Sequence, residues 1–238
     1  MLPPSDPDAV LGDTPTAGAW AEGFGIVAPE VARYVEVLHG VPDALVLAMQ
    51  NLAKAQGLTL VDADTATLIA TLARTMRPEK VVEAGTGIGF LTLHLARVVP
   101  NDCTIISVEP DPLRQEQAHA FLARNDHRCA VELRLGDPTR ALRDSSLADI
   151  DMLVLTDSTQ PRLDLIDRLT PRLKPDALLV VPNALRGGRV ADNERAWDSE
   201  SPDVEAQRVL NRCVATDPRY TGVVLLPVGD GLLLARRR

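Results

Sequence analysis

The stretch Val81–Phe90, VVEAGTGIGF, decides the fold of this chain. A short apolar run with one acid ends in glycines at alternate positions, Gly85, Gly87 and Gly89, and a helical pattern follows. Glycines after a strand permit a tight turn and let the backbone approach a ligand, while a helix start offers free N–H groups. The stretch therefore predicts a strand, a ligand-binding turn and a helix.

The glycine spacing bears on which ligand binds there. A dinucleotide-binding turn has the pattern GxGxxG, which requires a third glycine where this chain has Phe90. The spacing therefore disfavours NAD. An NAD-dependent oxidoreductase remains the alternative that rests on the glycine turn alone.

Outward from this turn, short apolar runs alternate with helix-length segments. The runs are KVVEAG, CTIISVEP, AVELRLGD, IDMLVLTD and ALLVVPN, and the helices are predicted at 90–98, 112–125, 139–143, 162–173 and 203–217. Such alternation indicates right-handed βαβ units, hence an α/β fold with a parallel sheet covered by helices on both faces.

The two ends of the chain do not follow this alternation of strands and helices. Near the C-terminus, TGVVLLPVGDGLLLARR (221–237) reads as two strands joined by a short link, an antiparallel hairpin. Residues 29–76 read as a helical N-terminal cover, and residues 1–28, rich in Pro, Gly, Asp and Ala, as a flexible arm. We therefore predict a single domain over residues 29–238.

Two further strand ends carry residues suited to a nucleoside. Glu109 ends the second strand, where a carboxylate can accept hydrogen bonds from two ribose hydroxyls, and Gly136-Asp137 closes the third, where an adenine can rest. A solvent-exposed acid is the alternative for Glu109. Because the carboxyl ends of parallel strands share one edge, these residues and the glycine turn predict one nucleoside cleft.

With these motifs the chain resembles S-adenosylmethionine-dependent methyltransferases, and more narrowly the catechol and caffeoyl-CoA type O-methyltransferases. The resemblance covers residues 58–238 and rests on VVEAGTGIGFLTLHLA, ISVEPD, LRLGDP, MLVLTDSTQ, LLVVPNALRGGRV and PVGDGLLLARR. It implies a Rossmann-like seven-stranded methyltransferase sheet, mostly parallel with an antiparallel C-terminal strand. It also implies O-methylation of a small-molecule hydroxyl, and a homodimer.

The resemblance also implies which residues bind S-adenosylmethionine. The methionine end falls to the glycine turn and its neighbours, the ribose to Glu109 and the adenine side to Gly136 and Asp137. The backbone near Val61 is implied beside the cofactor, and Asp157 is a candidate for contact with its ammonium group. The turn residues are Glu83, Gly85, Thr86, Gly87 and Gly89.

In the family it resembles, a divalent cation is held by an Asp after the fourth strand and an Asp-Asn pair after the fifth, with a lysine nearby. Asp157 and Asn183 match two of these ligands, but Pro182 stands in place of the second Asp and Gln160 in place of the lysine. Proline offers no ligand. Mg²⁺ often binds through one or two carboxylates plus waters, so a metal-bound and a metal-free site both stay open.

Three residues are candidates for catalysis. Asp157 is expected to orient the substrate and Asn183 to hydrogen-bond it, although a Pro-Asn pair is also a common turn. His39 is a candidate general base because its ordinary pKa lies near neutrality, with a structural role as the alternative. Arg186 and Arg189 are candidates for an anionic substrate or for a solvated loop.

Composition limits the function classes. A formal net charge of -8, without a basic stripe, excludes nucleic acid as an expected partner. No apolar run is long enough to span a membrane and the N-terminal segment is proline- and acid-rich, so we expect a cytoplasmic protein. The three scattered cysteines predict free thiols. The replaced metal-site residues leave a second class open, a cofactor-binding protein that has lost catalysis.

Overall fold

A computed structural model of the chain describes residues 29–39, 42–144, 147–156, 162–191 and 202–238. Within them seven strands form one sheet: β1 Lys80–Ala84, β2 Thr104–Glu109, β3 Ala130–Leu135, β4 Ile150–Leu155, β5 Leu173–Pro182, β6 Tyr220–Leu226 and β7 Leu232–Arg237. The described helices are α1 Pro29–His39, α2 Ala44–Gln56, α3 Ala63–Met76, α4 Phe90–Ala96, α5 Pro112–Leu122, α6 Pro138–Ala141, α7 Arg162–Leu169 and α8 Pro202–Thr216.

The sheet confirms the predicted architecture. Its strand order is β3-β2-β1-β4-β5-β7-β6, and β1 to β5 pair in parallel. Strand β7 inserts between β5 and β6 and is antiparallel to both. The sheet is therefore mostly parallel, with the C-terminal hairpin supplying the antiparallel strand.

This strand order creates a binding edge. From β1 the chain moves outward to β2 and β3, and then returns to the other side of β1 for β4 and β5. In open α/β sheets the crevice at such a reversal, beyond the carboxyl ends of the strands, is where ligands bind. The glycine turn after β1 lies at this reversal.

Helices cover both faces of the sheet because neighbouring strand residues point to opposite sides. Val81 packs in a core cluster with residues of α2 to α5, whereas its neighbour Val82 packs in a second cluster with residues of α7 and α8. Continuous burial along β1 and β4 follows from this two-sided packing.

The helices end earlier than the sequence pattern predicts. Helix α7 ends at Leu169 rather than at 173, a 3₁₀ turn covers Thr170–Arg172, and Leu173 already has the extended ψ of 136° that begins β5. Pro171 explains the early stop, because a proline disfavours the α conformation in the residue before it and lacks an N–H of its own.

The predicted helical cover consists of α1 to α3. Asp43 and Asp62 cap α2 and α3 by accepting backbone N–H groups, which is why those helices begin where they do. The predicted arm, residues 1–28, lies outside the described residues, and the division at residue 29 stays a prediction. Among the described helices, none is both long and apolar enough to cross a membrane.

Candidate active site

The glycine turn after β1 is held against β2. The backbone N–H groups of Gly85 and Thr86 donate to the Val108 carbonyl at 2.9 and 3.1 Å. Gly87 has φ 55°, and a Cβ placed there would meet no atom within 4 Å. The turn is therefore fixed on one side and open on the other, as a ligand-binding turn requires.

Glu109 lies beside this turn at the end of β2. Its side chain is almost completely buried, at 3% exposure. One carboxylate oxygen accepts the Gly87 N–H at 2.7 Å, and the other accepts the Asp111 N–H at 3.1 Å. Both carboxylate oxygens thus bind backbone N–H groups beside the glycine turn. The alternative of a solvent-exposed acid is therefore wrong.

The carboxyl group of Glu83 is linked to the glycine turn through the hydroxyl of Ser107. This carboxyl group is fully buried, and Oε2 accepts the hydroxyls of Thr92 at 2.5 Å and Ser107 at 2.7 Å. Ser107 in turn shares a 2.6 Å hydrogen bond with the Thr86 hydroxyl in the glycine turn. No local pattern in the sequence indicates these buried hydroxyl partners. Burial, opposed by the two hydroxyls and reinforced by the charge of Glu109, raises the pKa of Glu83 to about 7.

This raised pKa predicts a pH-dependent stability. Native Glu83 holds its proton up to about pH 7, whereas unfolded Glu83 loses it near its ordinary pKa of 4.5, so its contribution is present at low pH and lost as pH rises through that window. Because one pKa unit corresponds to about 1.36 kcal/mol, we expect wild type to lose roughly 2 kcal/mol relative to Glu83→Gln between about pH 5 and pH 8. Urea unfolding of both proteins at both pH values measures this difference. A difference that is constant with pH contradicts the prediction.

The third strand end carries the predicted adenine-side residues. The Gly136 N–H donates to the Glu109 carbonyl at 2.9 Å, which brings this strand end beside the ribose candidate. Asp137 caps α6 by accepting the Arg140 N–H at 3.1 Å and also accepts the Thr139 hydroxyl. The Thr139 hydrogen bond is the main reason that the pKa of Asp137 is lowered. The contact of Asp137 with an adenine stays a prediction.

Val61 precedes the cap of α3, and its side chain is buried in the first core cluster. The side chain therefore has a packing role, which leaves only the backbone for the predicted cofactor contact. That contact stays a prediction.

The ends of β4 and β5 carry the residues predicted to contact the hydroxyl substrate, the methyl acceptor, and we call them the acceptor side. Thr156 follows β4 and ties it to β1, since its N–H donates to the Ala84 carbonyl at 2.9 Å and its hydroxyl donates to the Gly85 carbonyl. The next residue, Asp157, lies outside the described residues, as does Gln160. Their predicted roles stay predictions.

Asn183 follows β5 in the left-handed conformation, with φ 56°, which asparagine tolerates better than most residues. Its side chain makes no hydrogen bond to any residue that the structure describes. Pro182 is buried and pairs with Leu232 of β7. The turn at Asn183 is therefore formed, and its side-chain amide remains available to a substrate.

Contacts from the β6–β7 turn fix the loop after Asn183. Ala184 and Leu185 donate their N–H groups to the carbonyls of Gly231 and Asp230 at 3.0 and 2.8 Å. The Asp230 carboxylate accepts the Gly187 N–H. The two glycines after the strand therefore do not make this loop free, because the C-terminal hairpin holds it.

The remaining candidates are less constrained by the structure. His39 is the last residue of α1, and its side chain is not among those described. Arg186 is half-buried, and its Nε has no hydrogen-bond partner among the described residues. Burial lowers the pKa of Arg186, while Asp203 and Asp230 oppose that effect. Its role toward an anionic substrate stays a prediction.

Comparison with known proteins agrees with this geometry. A family model described as O-methyltransferase matches residues 45–238. A protein of Mycobacteroides abscessus that carries an O-methyltransferase name is 30% identical over 196 residues, which are 82% of this chain and 89% of that protein. A catechol O-methyltransferase of Niastella koreensis is 25% identical over 214 residues, 86% of this chain and 95% of that protein.

The fold is also found among solved structures. A methyltransferase from Geobacter sulfurreducens superposes with a TM-score of 0.75 at 28% identity, covering 90% of this chain and all of that one. Structures of the same fold have been solved with S-adenosylmethionine or S-adenosylhomocysteine bound. The family match over residues 45–238 confirms the resemblance that the strand-end motifs indicated. The chain belongs to the O-methyltransferase family.

Proposed function

We propose that this protein transfers the methyl group of S-adenosylmethionine to a hydroxyl oxygen of a small molecule. The observation that carries the proposal is the closure of the glycine turn by Glu109, whose carboxylate lies 2.7 Å from the Gly87 N–H. This contact supports the proposal because it holds a carboxylate, a group suited to ribose hydroxyls, beside an open backbone turn. When bound, the cofactor supplies an electrophilic methyl group on a positively charged sulfur.

The residues of the chain have separate tasks in this proposal. Glu109 holds the ribose, the turn from Gly85 to Gly89 approaches the methionine end, and Gly136 with Asp137 borders the adenine. Across the site, Asn183 donates a hydrogen bond to the acceptor and Asp157 orients it or the cofactor ammonium. Holding the acceptor oxygen in line with the methyl group accelerates the transfer, because orientation alone lowers the activation free energy by several kcal/mol. His39 remains the candidate for removing the acceptor proton.

A divalent metal does not fit the described residues well. Pro182 has no ligand atom in its side chain, and its backbone is paired with Leu232 in the β5–β7 ladder. Over the described ranges, no group of three or more His, Cys, Asp or Glu side chains is placed to hold a metal ion. The proposed reaction therefore uses no metal.

From this we predict that metal removal has a small effect. Dialysis against EDTA is expected to leave the methylation rate within about twofold of the untreated rate, because one carboxylate and one amide form a weak Mg²⁺ site. Activity of dialysed enzyme with and without added Mg²⁺ measures the effect. Activity that collapses with EDTA and returns with Mg²⁺ contradicts the prediction.

The proposed function is tested in two steps. Isothermal titration with S-adenosylmethionine and S-adenosylhomocysteine is expected to detect binding of both, and binding of neither would overturn the proposal. The formation of S-adenosylhomocysteine is then followed with a panel of catechols, flavonoids and hydroxy acids. Pro182, which occupies a ligand position, favours a second candidate, a cofactor-binding protein without catalysis. Turnover of any acceptor excludes this candidate.

We further propose a homodimer in the cytoplasm. Helix α1 exposes an apolar side formed by Val31, Tyr34, Val37 and Leu38, which suits burial against a second copy. Cys103, Cys129 and Cys213 are all free thiols, which suits a reducing compartment. Light scattering coupled to size exclusion tests the dimer, and fractionation of the source cells tests the location.

A further inference from the structure

Helix α8 places two amide side chains, Gln207 and Asn211, one helical turn apart between the ends of β4 and β5. Gln207 is 2% exposed on a face that otherwise buries Val204, Leu210 and Val214. An apolar residue would satisfy the packing of that face without the cost of burying an amide. The burial of the Gln207 amide is therefore explained by the hydrogen bonds that it makes.

Toward β4, Gln207 accepts a hydrogen bond from a buried arginine. Arg162, the first residue of α7, is 6% exposed and donates Nη1 to the Gln207 side-chain oxygen at 2.8 Å. Its Nη2 donates to the Thr156 carbonyl at 3.3 Å. Thr156 is the residue directly before Asp157. The Arg162 guanidinium is therefore hydrogen-bonded to the backbone at the end of β4.

Toward β5, the same amide continues the chain of hydrogen bonds. Gln207 donates Nε2 to the Asn211 side-chain oxygen at 2.9 Å. Asn211 donates Nδ2 to the Ala184 carbonyl at 2.8 Å. Ala184 directly follows Asn183. The three side chains, which we call the amide relay (Arg162, Gln207 and Asn211), thus connect the two strand ends that carry the acceptor-side candidates.

The hydrogen bonds of the amide relay all run in one donor-to-acceptor direction, from Arg162 to the Ala184 carbonyl. Arg162 can only donate, so Gln207 must present its oxygen to the arginine and its NH₂ group to Asn211, which must then present its own NH₂ group to the Ala184 carbonyl. Each bond fixes the amide orientation of the next. Removing the central amide removes the hydrogen bonds to both Arg162 and Asn211, and the loss of buried hydrogen bonds is costly.

We infer that the amide relay sets the spacing between Thr156 at the end of β4 and Asn183 at the end of β5, and so positions Asn183 toward the acceptor. The inference rests on the proposed function. Pro182 replaces a residue that the resemblance implies as a ligand of a metal between these strand ends, and the relay joins the strand ends through the protein itself. Its members are positioning residues, since none of them has to touch the substrate.

The test compares Gln207→Met with Leu210→Met. Both replace a buried residue of α8 with the same side chain, but only the first breaks the relay. In Gln207→Met, amide hydrogen exchange over residues 183–191 is expected to accelerate at least about tenfold, with no change over residues 85–93. Leu210→Met is expected to leave both regions unchanged. Equal acceleration in both variants, or none in Gln207→Met, overturns the inference without requiring a known acceptor.

Two further measurements separate this inference from the proposed function. Binding of S-adenosylhomocysteine is expected to stay within about twofold of wild type in Gln207→Met, because the glycine turn is untouched. Absence of binding in wild type would instead count against the proposed function. With any acceptor found in the panel, kcat is expected to fall about tenfold or more, because small displacements of reacting groups are costly. An unchanged kcat counts against the relay.

Asn211→Ala gives a second variant in case Gln207→Met does not fold. Asn211 is only partly buried, so its loss disturbs the core less; it removes the bonds to Gln207 and to the Ala184 carbonyl and keeps the bond between Arg162 and Gln207. Faster exchange over residues 183–191 is again expected, with Arg212→Ala, an exposed neighbour on α8, as the control. Exchange equal to that of the control overturns the inference.

Discussion

Replacing Glu109 with alanine is expected to weaken binding of S-adenosylhomocysteine by about 100-fold or more. The carboxylate accepts the Gly87 N–H at 2.7 Å and is proposed to accept two ribose hydroxyls. Hydrogen bonds to charged groups contribute about 1.5–3 kcal/mol each, so losing two of them suffices for this factor. Isothermal titration of wild type and variant measures the change.

Glu132→Ala is the matched control for this variant. Glu132 is also an acid on a sheet strand, but its side chain is half exposed and pairs with Arg134. We expect its affinity for the cofactor to equal that of wild type. Thermal unfolding of Glu109→Ala separates loss of the carboxylate from loss of the fold. A folded Glu109→Ala variant that binds within about tenfold of wild type would contradict the ribose assignment.

Gly231→Ala is expected to destabilise the protein by about 3 kcal/mol or more, because left-handed strain and overpacking add at this position. Gly231 has φ 87°, and a Cβ there would lie 2.5 Å from Leu185 Cγ and 2.8 Å from the Leu185 backbone nitrogen. The backbone atom cannot move aside without breaking the loop contacts that follow Asn183. Urea unfolding followed by circular dichroism measures the loss.

The Gly222→Ala variant separates the effect of left-handed backbone strain from that of overpacking. Gly222 also has a left-handed φ, 58°, but a Cβ there would meet no atom within 4 Å. Its variant carries the backbone strain without the collision, so we expect a loss of only about 1–2 kcal/mol. Equal losses at the two positions would show that the contact with Leu185 is not what makes Gly231 necessary.

The two glycines also illustrate the limit of the sequence pattern. Both lie in the C-terminal hairpin, and both are compatible with a turn or a bulge. Only the packing of Leu185 against Gly231, 46 residues apart by their numbers, distinguishes a costly substitution from a mild one. Local sequence contains no signal for that contact, because it depends on β7 inserting beside β5.

Several features were determined by the sequence alone. The alternation of apolar runs and helix-length segments specified the α/β sheet, since the periods of strands and helices differ within a few residues. The glycine turn and Glu109 are predictable for the same reason, because each lies where a strand ends. The cap residues Asp43 and Asp62 likewise act within their own first turns. These are properties of short segments.

Other features were decided only by the tertiary structure. The high pKa of Glu83 depends on Thr92, Ser107 and complete burial in the sheet. The hydrogen bond from Arg162 to Gln207 joins residues 45 apart, and that from Gly187 to Asp230 joins residues 43 apart. Such partners leave no periodic trace in the sequence, because the strand order alone brings them together. The sequence thus predicts where the cofactor binds, and the long-range packing determines how the ends of β4 and β5 are held.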